Sequence, residues 1–328
     1  MRRALLLLWL CACTPPPAYP DQPSGEGPDN RYGSAQYVPP EPPVPSGPVN
    51  LDTLGRLDDH LVDFDFDGGQ LEFDLFADGD QVTQTARNRY MVPVQIAWTI
   101  TPLENIEGAP LKGSTTLPAA PGPDQLGEPV ILSRLRRPAT DARYRRDFRF
   151  RARFGNVAAR PADYAYALPF PTGSTFTVLQ GFHGEFSHRG SNEYAVDFDC
   201  PVATPVLAAR EGTVVVTHAS AQGAGTTPEY LDYKRVNFVL VQHDDGTLGE
   251  YMHLSPSGVM VRPGQRVGRH QQLALSGNTG FSTQPHLHFQ IMTAASDGIS
   301  AVSFPFRFAA SRDNTEEPVQ GHRYTAWE

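Results

Sequence analysis

Hydrophobic residues in this chain recur at every second position, and no segment holds the three-to-four spacing of a helix face. Val62, Phe64 and Phe66 alternate with Asp63, Asp65 and Asp67, Gly68-Gly69 turns the chain, and Leu71, Phe73 and Leu75 resume the alternation. That is the pattern of a β-hairpin. Val92, Val94, Ile96, Trp98 and Ile100 repeat it, as do Phe148, Phe150, Ala152 and Phe154 with Arg149, Arg151 and Arg153 on the opposite face. Such strands predict an all-β chain in which residues 50–168 form a small, immunoglobulin-like β-sandwich. Asp63-x-Asp65-x-Asp67-Gly68 also matches the opening of a calcium loop. The interleaved phenylalanines suit a strand's buried face better, and Asp74 stands where such a loop carries Glu. The arginine row reads as a solvated strand face.

Residues 169–310 are again strand-rich. Gly212–Val216, Val236–Gln242 and Leu248–Leu254 are predicted strands, with Asp245-Gly246 as the hairpin turn between the last two. Pro263-Gly264-Gln265 and Gly277-Asn278-Thr279-Gly280 are turns or loops. Residues 311–328 are polar and are expected to be a tail.

Outside these two regions the pattern changes. Met1-Arg2-Arg3 precedes a short apolar run, Ala4–Leu10, too short to cross a bilayer. Leu10-Cys11-Ala12-Cys13 resembles the lipobox of bacterial lipoproteins. The resemblance implies a signal peptide over residues 1–12 and a lipid on Cys13, placing the protein outside the cytoplasm, on the outer membrane facing the periplasm. Residues 13–49 are rich in proline and predict an extended tether, which at about 3.1 Å per residue reaches roughly 100 Å. With Cys13 lipidated, Cys200 has no partner and is expected to be buried as a small hydrophobe. A formal charge of −9 over 328 residues argues against nucleic acid as a partner.

Candidate chemistry concentrates in the second region. In Pro285-His286-Leu287-His288-Phe289-Gln290-Ile291, a strand would send Leu287, Phe289 and Ile291 to the core and His286, His288 and Gln290 into a groove. Two imidazoles on one face can divide their work, one binding a metal and one handling protons. His188 precedes Asp197, and a carboxylate with two imidazoles leaves one position of a tetrahedral zinc open for water. His253 lies in Glu250-Tyr251-Met252-His253-Leu254, where a strand puts Tyr251 and His253 on one face.

At these residues the chain resembles the lysostaphin and LytM-type zinc endopeptidases that cut peptidoglycan peptides. The stretches that carry the likeness are Ser187-His188…Tyr194-Ala195-Val196-Asp197-Phe198, Thr204-Pro205-Val206-Leu207, Tyr251-Met252-His253-Leu254 and Ser276-Gly277-Asn278-Thr279-Gly280…Pro285-His286-Leu287-His288-Phe289. The resemblance implies a LytM-like antiparallel sheet and one zinc ion per chain, held by His188, Asp197 and His288. It implies His286 as general base, His253 as oxyanion stabiliser or proton-transfer partner, and peptidoglycan peptides as substrate. Three departures stand out. The His188–Asp197 interval is long, so the intervening loop must bulge and His183 becomes an alternative ligand. Ala203 and Gln284 each replace a family glycine, which raises the question of left-handed backbone at both. A non-catalytic LytM-like module that binds the wall or activates another hydrolase is the rival expectation.

Overall fold

The computed structural model describes residues 51, 54–57 and 59–327. Cys13, the leader and the tether lie outside the described residues. Among the described residues there is no α-helix, only strands and short 3-10 turns.

The N-terminal half contains β1 (Leu61–Phe66), β2 (Gly69–Asp78), β3 (Gln81–Asn88), β4 (Val94–Glu104), β5 (Lys112–Leu117), β6 (Val130–Arg136) and β7 (Arg145–Phe154). Strands β2, β3 and β6 form the centre of a six-stranded sheet, joined by β1, Gly55–Arg56 and Glu107–Ala109, while β5-β4-β7 is a second sheet. Leu71, Phe73, Leu75 and Val82 from one sheet share a core with Val94, Ile96, Trp98 and Ile100 from the other. This is a two-layer sandwich, divided six and three where a constant-type immunoglobulin domain has four and three. Alternation holds on β7, whose Arg149 and Arg151 are exposed while Phe154 is buried. At β1 it breaks: Phe64 has φ +59° and the register to β2 shifts between Asp63 and Phe66. No calcium loop forms there; the Asp63 carboxylate accepts from Phe64 N at 2.6 Å and Asp67 accepts from Thr217 Oγ1 at 3.3 Å.

The C-terminal half is built on β8 (Thr175–Gln180), β9 (Val196–Asp199), β10 (Gly212–His218), β11 (Phe238–Gln242), β12 (Leu248–Met252), β13 (Arg266–Val267), β14 (His286–Ala294), β15 (Ala301–Phe304) and β16 (Arg323–Thr325). They make one nine-stranded sheet in the order β13-β10-β11-β12-β14-β9-β8-β16, with β15 also on β14. One face buries Phe198, Tyr251, Leu287, Phe289 and Ile291 against smaller flanking strands. Cys200 lies in this core; burial pushes its thiol up to about 12, so it stays protonated. Residues 311–328 are not a free tail. Strand β16 pairs antiparallel with β8, and Tyr324 and Ala326 are buried in the same core. Two well-placed apolar residues outweigh a polar composition.

The opposite face of the sheet holds two things. Toward β10 and β11 and toward the Met292 end of β14, the sheet is covered by the sandwich. Phe66, Tyr90 and Phe154 share one apolar cluster with Val215, Val216, Phe238, Leu240, Leu248 and Met292. The β1–β2 turn docks on β10, and Gly68 comes so close that a Cβ there would sit 2.7 Å from the Val215 carbonyl oxygen. Burying each such Phe or Leu contributes roughly 1.5–3 kcal/mol, so the seam belongs to the fold's stability. The rest of that face, around His288, is left for the site.

Candidate metal centre and active site

Strand pairing brings the site together. Asp197 on β9 is the direct cross-strand partner of His288 on β14, and β12 flanks β14 on its other side, with Met252 opposite His288. His288 Nδ1 lies 2.9 Å from Asp197 Oδ1. His188 Nε2 lies 3.2 Å from Asp197 Oδ2. One ligand atom from each of His188, Asp197 and His288 falls within 4.8 Å of the others, and all three residues are buried.

His188 arrives from a loop after β8. The 3-10 turn Gly190–Asn192 takes up the extra residues before Asp197. His188 Nδ1–H donates to the Gly181 carbonyl at 2.8 Å, which turns Nε2 toward the acid. Nε2 is buried and has no hydrogen-bond partner. An orphaned imidazole nitrogen beside a carboxylate fits a divalent cation, since such a cation is the acceptor's missing partner. His183 is placed elsewhere: it is half-exposed, with Nδ1 3.2 Å from Glu193 Oε1, and stands outside the group that converges.

Burial opposes charge on Asp197, but the neighbouring imidazoles of His286 and His188 and the hydrogen bond from His288 win, holding its carboxyl well below the usual range. The site therefore presents a carboxylate at neutral pH.

The remaining two histidines stand side by side. His286 Nδ1–H donates to the Gln284 carbonyl at 2.9 Å, leaving Nε2 as an acceptor 3.8 Å from Asp197 Oδ1. His253 Nδ1–H donates to the Thr279 carbonyl at 2.7 Å, so its Nε2 is likewise an acceptor. The two rings are 4.4 Å apart, and the His253 ring is 6.0 Å from that of His288. Burial first, then the neighbouring His286 and His288, push the His253 pKa well down, keeping it neutral.

His253 gets there by an irregular route. The expectation that it shares a face with Tyr251 is overturned. Strand β12 ends at Met252, and His253 has φ +63°, which breaks the alternation. Tyr251 goes to the core, where its hydroxyl accepts from Ala209 N at 2.8 Å, while His253 turns to the groove. A left-handed non-glycine residue costs on the order of 1 kcal/mol, a cost borne here beside the other histidines of the site. Ala203 likewise has φ +69°, as the missing glycine foretold. Gln284 is not among the left-handed residues.

Gln180 escaped the sequence reading. Its side-chain Nε2 donates to Asp197 Oδ2 at 3.1 Å and to Ser187 Oγ at 2.8 Å. Its Oε1 accepts from Phe186 N and Ser187 N at 2.9 and 3.1 Å. One carboxamide thus ties the His188 loop to Asp197. Gly184 packs against it so closely that a Cβ there would lie 2.1 Å from Gln180 Cγ. Nothing in a single glutamine at a strand end signals this.

With the geometry in hand, known proteins can be set beside it. Residues 191–299 match the model of peptidase family M23, a span that holds Asp197, His253, His286 and His288 and begins three residues after His188. The peptidoglycan DD-endopeptidase ShyA of Vibrio cholerae is 32% identical over 127 residues, 38% of this chain and 26% of its own length. The glycyl-glycine endopeptidase ALE-1 of Staphylococcus capitis is 41% identical over 105 residues, 32% of this chain and 26% of its own. The catalytic domain of lysostaphin from Staphylococcus simulans is 28% identical, covering 40% of this chain and 87% of that domain, with a TM-score of 0.28. The chain thus spans about a quarter of the length of these two curated relatives.

Proposed function

We propose that this chain, whose C-terminal half carries a peptidase M23 domain, is a zinc-dependent endopeptidase that hydrolyses peptide bonds in bacterial peptidoglycan. The observation that carries the reading is the convergence of His188, Asp197 and His288 on one point, with the acceptor nitrogens of His286 and His253 beside it. The relatives support the substrate, being peptidoglycan DD- and glycyl-glycine endopeptidases by name.

In this reading His188, Asp197 and His288 hold one zinc ion. Zinc supplies Lewis acidity, which polarises a scissile carbonyl and brings the ionisation of water toward neutral pH. The protein does the rest. His286 Nε2, free to accept, takes the proton of the attacking water, and the Gln284 carbonyl stabilises the imidazolium that forms. His253 begins neutral with an acceptor facing the groove, so it stabilises an oxyanion only after gaining a proton; the Thr279 carbonyl supports that charged state. Two adjacent imidazoles of this kind cover both the deprotonation of water and the protonation of the leaving amine. Gln180 keeps the His188 loop against Asp197 throughout.

Export, a lipid on Cys13, residence on the outer membrane facing the periplasm and a tether over residues 13–49 belong to the same proposal. Their support is the residue pattern at the N-terminus. The test is metal content of the purified protein together with peptides released from wall sacculi. One zinc per chain with cleavage is expected; stoichiometric zinc without cleavage would leave a wall-binding module instead.

A further inference from the structure

A row of cross-strand partners runs through the metal centre and one residue beyond it. Across β8, β9 and β14, Gln180 pairs with Asp197, and Asp197 pairs with His288. The β8–β9 register shifts between Val178 and Gln180, and a bulge of this kind re-aims the side chain that follows it. Gln180 is thereby buried beside the ligands His188 and Asp197.

All four hydrogen-bonding positions of its carboxamide are filled. The two N–H groups of Nε2 go to Asp197 Oδ2 and Ser187 Oγ, and Oε1 takes the N–H groups of Phe186 and Ser187. Reversing the amide would set Oε1 against the Asp197 carboxylate and Nε2 against two backbone donors, so its direction is fixed. Asp197 is then turned with Oδ2 toward Gln180 and His188 and with Oδ1 toward His288 and His286. The adjoining Gly181 carbonyl orients the His188 ring through Nδ1. Residues 180 and 181 therefore hold two of the three ligands at once. Gly184 leaves the room for this: a Cβ there would lie 2.1 Å from Gln180 Cγ and 2.7 Å from its Cδ. Gly184 is not among the left-handed glycines, so space and not backbone conformation calls for glycine.

A loop gives up conformational freedom before its histidine can serve as a ligand, and where the protein does not order it, metal binding must. We propose that Gln180 is a positioning residue that sets the metal affinity: it fixes the His188 loop and the Asp197 carboxylate in ligand geometry before an ion binds. The inference rests on the metal-centre part of the proposed function and is independent of cleavage.

Zinc affinity of the full chain is measured by chelator competition, and the order of the loop by limited proteolysis of the metal-free protein. Gln180→Met, similar in length but without an N–H donor, should bind zinc about 10–100-fold more weakly, the usual effect of losing a group that orients a ligand. Its loop, residues 181–195, should be cut faster than that of the wild type when metal-free, and zinc should restore protection. Gly184→Ala should weaken zinc over the same range, yet add no more than about twofold once Gln180→Ala has emptied the space. A residue serving only the fold would lower the melting temperature of the metal-free protein and leave the zinc affinity of the folded protein unchanged. That result for Gln180→Met overturns the inference, as does an equal loss from Gly184→Ala in both backgrounds. Should Gln180→Met fail to fold, Gly184→Ala, which removes no hydrogen-bonding group, decides it by the same affinity measurement. A wild type that binds no zinc removes the metal centre and this inference together. Wild-type protein that binds zinc but leaves sacculi intact, with the losses in the variants as expected, retains the inference and removes the peptidase reading alone.

Discussion

Two clusters in this molecule hold the same kinds of side chain and differ in what balances their charge. His60, Glu72 and Asp74 in the sandwich, and His188, Asp197 and His288 in the C-terminal half, both gather ligand atoms within 4.8 Å. In the first, Arg56 lies 2.7 Å from Asp74 and Arg89 lies 2.7 Å from Glu72. The acids already have cations, and a metal there would meet two guanidinium groups. In the second, no arginine or lysine among the described residues pairs with Asp197; its partners are imidazoles, two of them with an orphaned nitrogen. What marks a metal centre is an unbalanced charge with an open donor, not the residue types.

The most severe way to break that contrast is to remove Asp197. Asp197→Ala should lose the metal on dialysis and drop wall digestion to the level of metal-free protein, whereas Asp74→Ala should keep one metal per chain and full digestion. Elemental analysis of both variants decides it, and two metals in the wild type would overturn the comparison. Beside the second cluster, His286→Ala should retain metal while turnover falls about 10²–10⁴-fold, the usual contribution of a general base. His183→Ala should change neither. If His286→Ala and His288→Ala hold metal equally, the division between ligand and base is wrong.

A third buried histidine sharpens the point. His243 also has an orphaned Nε2, but no ion pair with a carboxylate is found for it among the described residues, and burial pushes it down to about 4. It is neutral when folded and titrates near 6.5 when unfolded. Between those values the unfolded chain binds more protons, so the stability it contributes is full above pH 6.5 and is lost as pH falls toward 4. At pH 5 the loss should be on the order of 2 kcal/mol relative to pH 7. Denaturant melts at the two pH values should show it, and His243→Gln should flatten that part of the difference. The smallest expected effect concerns Ala203: with φ +69°, Ala203→Gly should raise stability by about 0.5–1 kcal/mol and leave metal content alone.

The sequence made the strands legible because both halves bury one face and expose or use the other. Leu287, Phe289 and Ile291 against His286, His288 and Gln290 is alternation read directly. Two ligands on neighbouring strands followed from the motif order. The position of His253 did not, since a left-handed residue defeats a period-two argument and histidine advertises no such preference. Strand β16 was hidden by its polar neighbours. Gln180 was hidden for a different reason: its partners Phe186, Ser187 and Asp197 are brought to it by the fold of the following loop, which no strand period encodes.

The apolar seam between the halves has a practical consequence for anyone wishing to transplant the C-terminal half. Residues 169–327 grafted alone onto another carrier would present bare Val216, Phe238, Leu240 and Met292, all fully buried in the intact molecule. Such a graft should clump in solution, and any transplant of this half has to carry the sandwich along as its second skin.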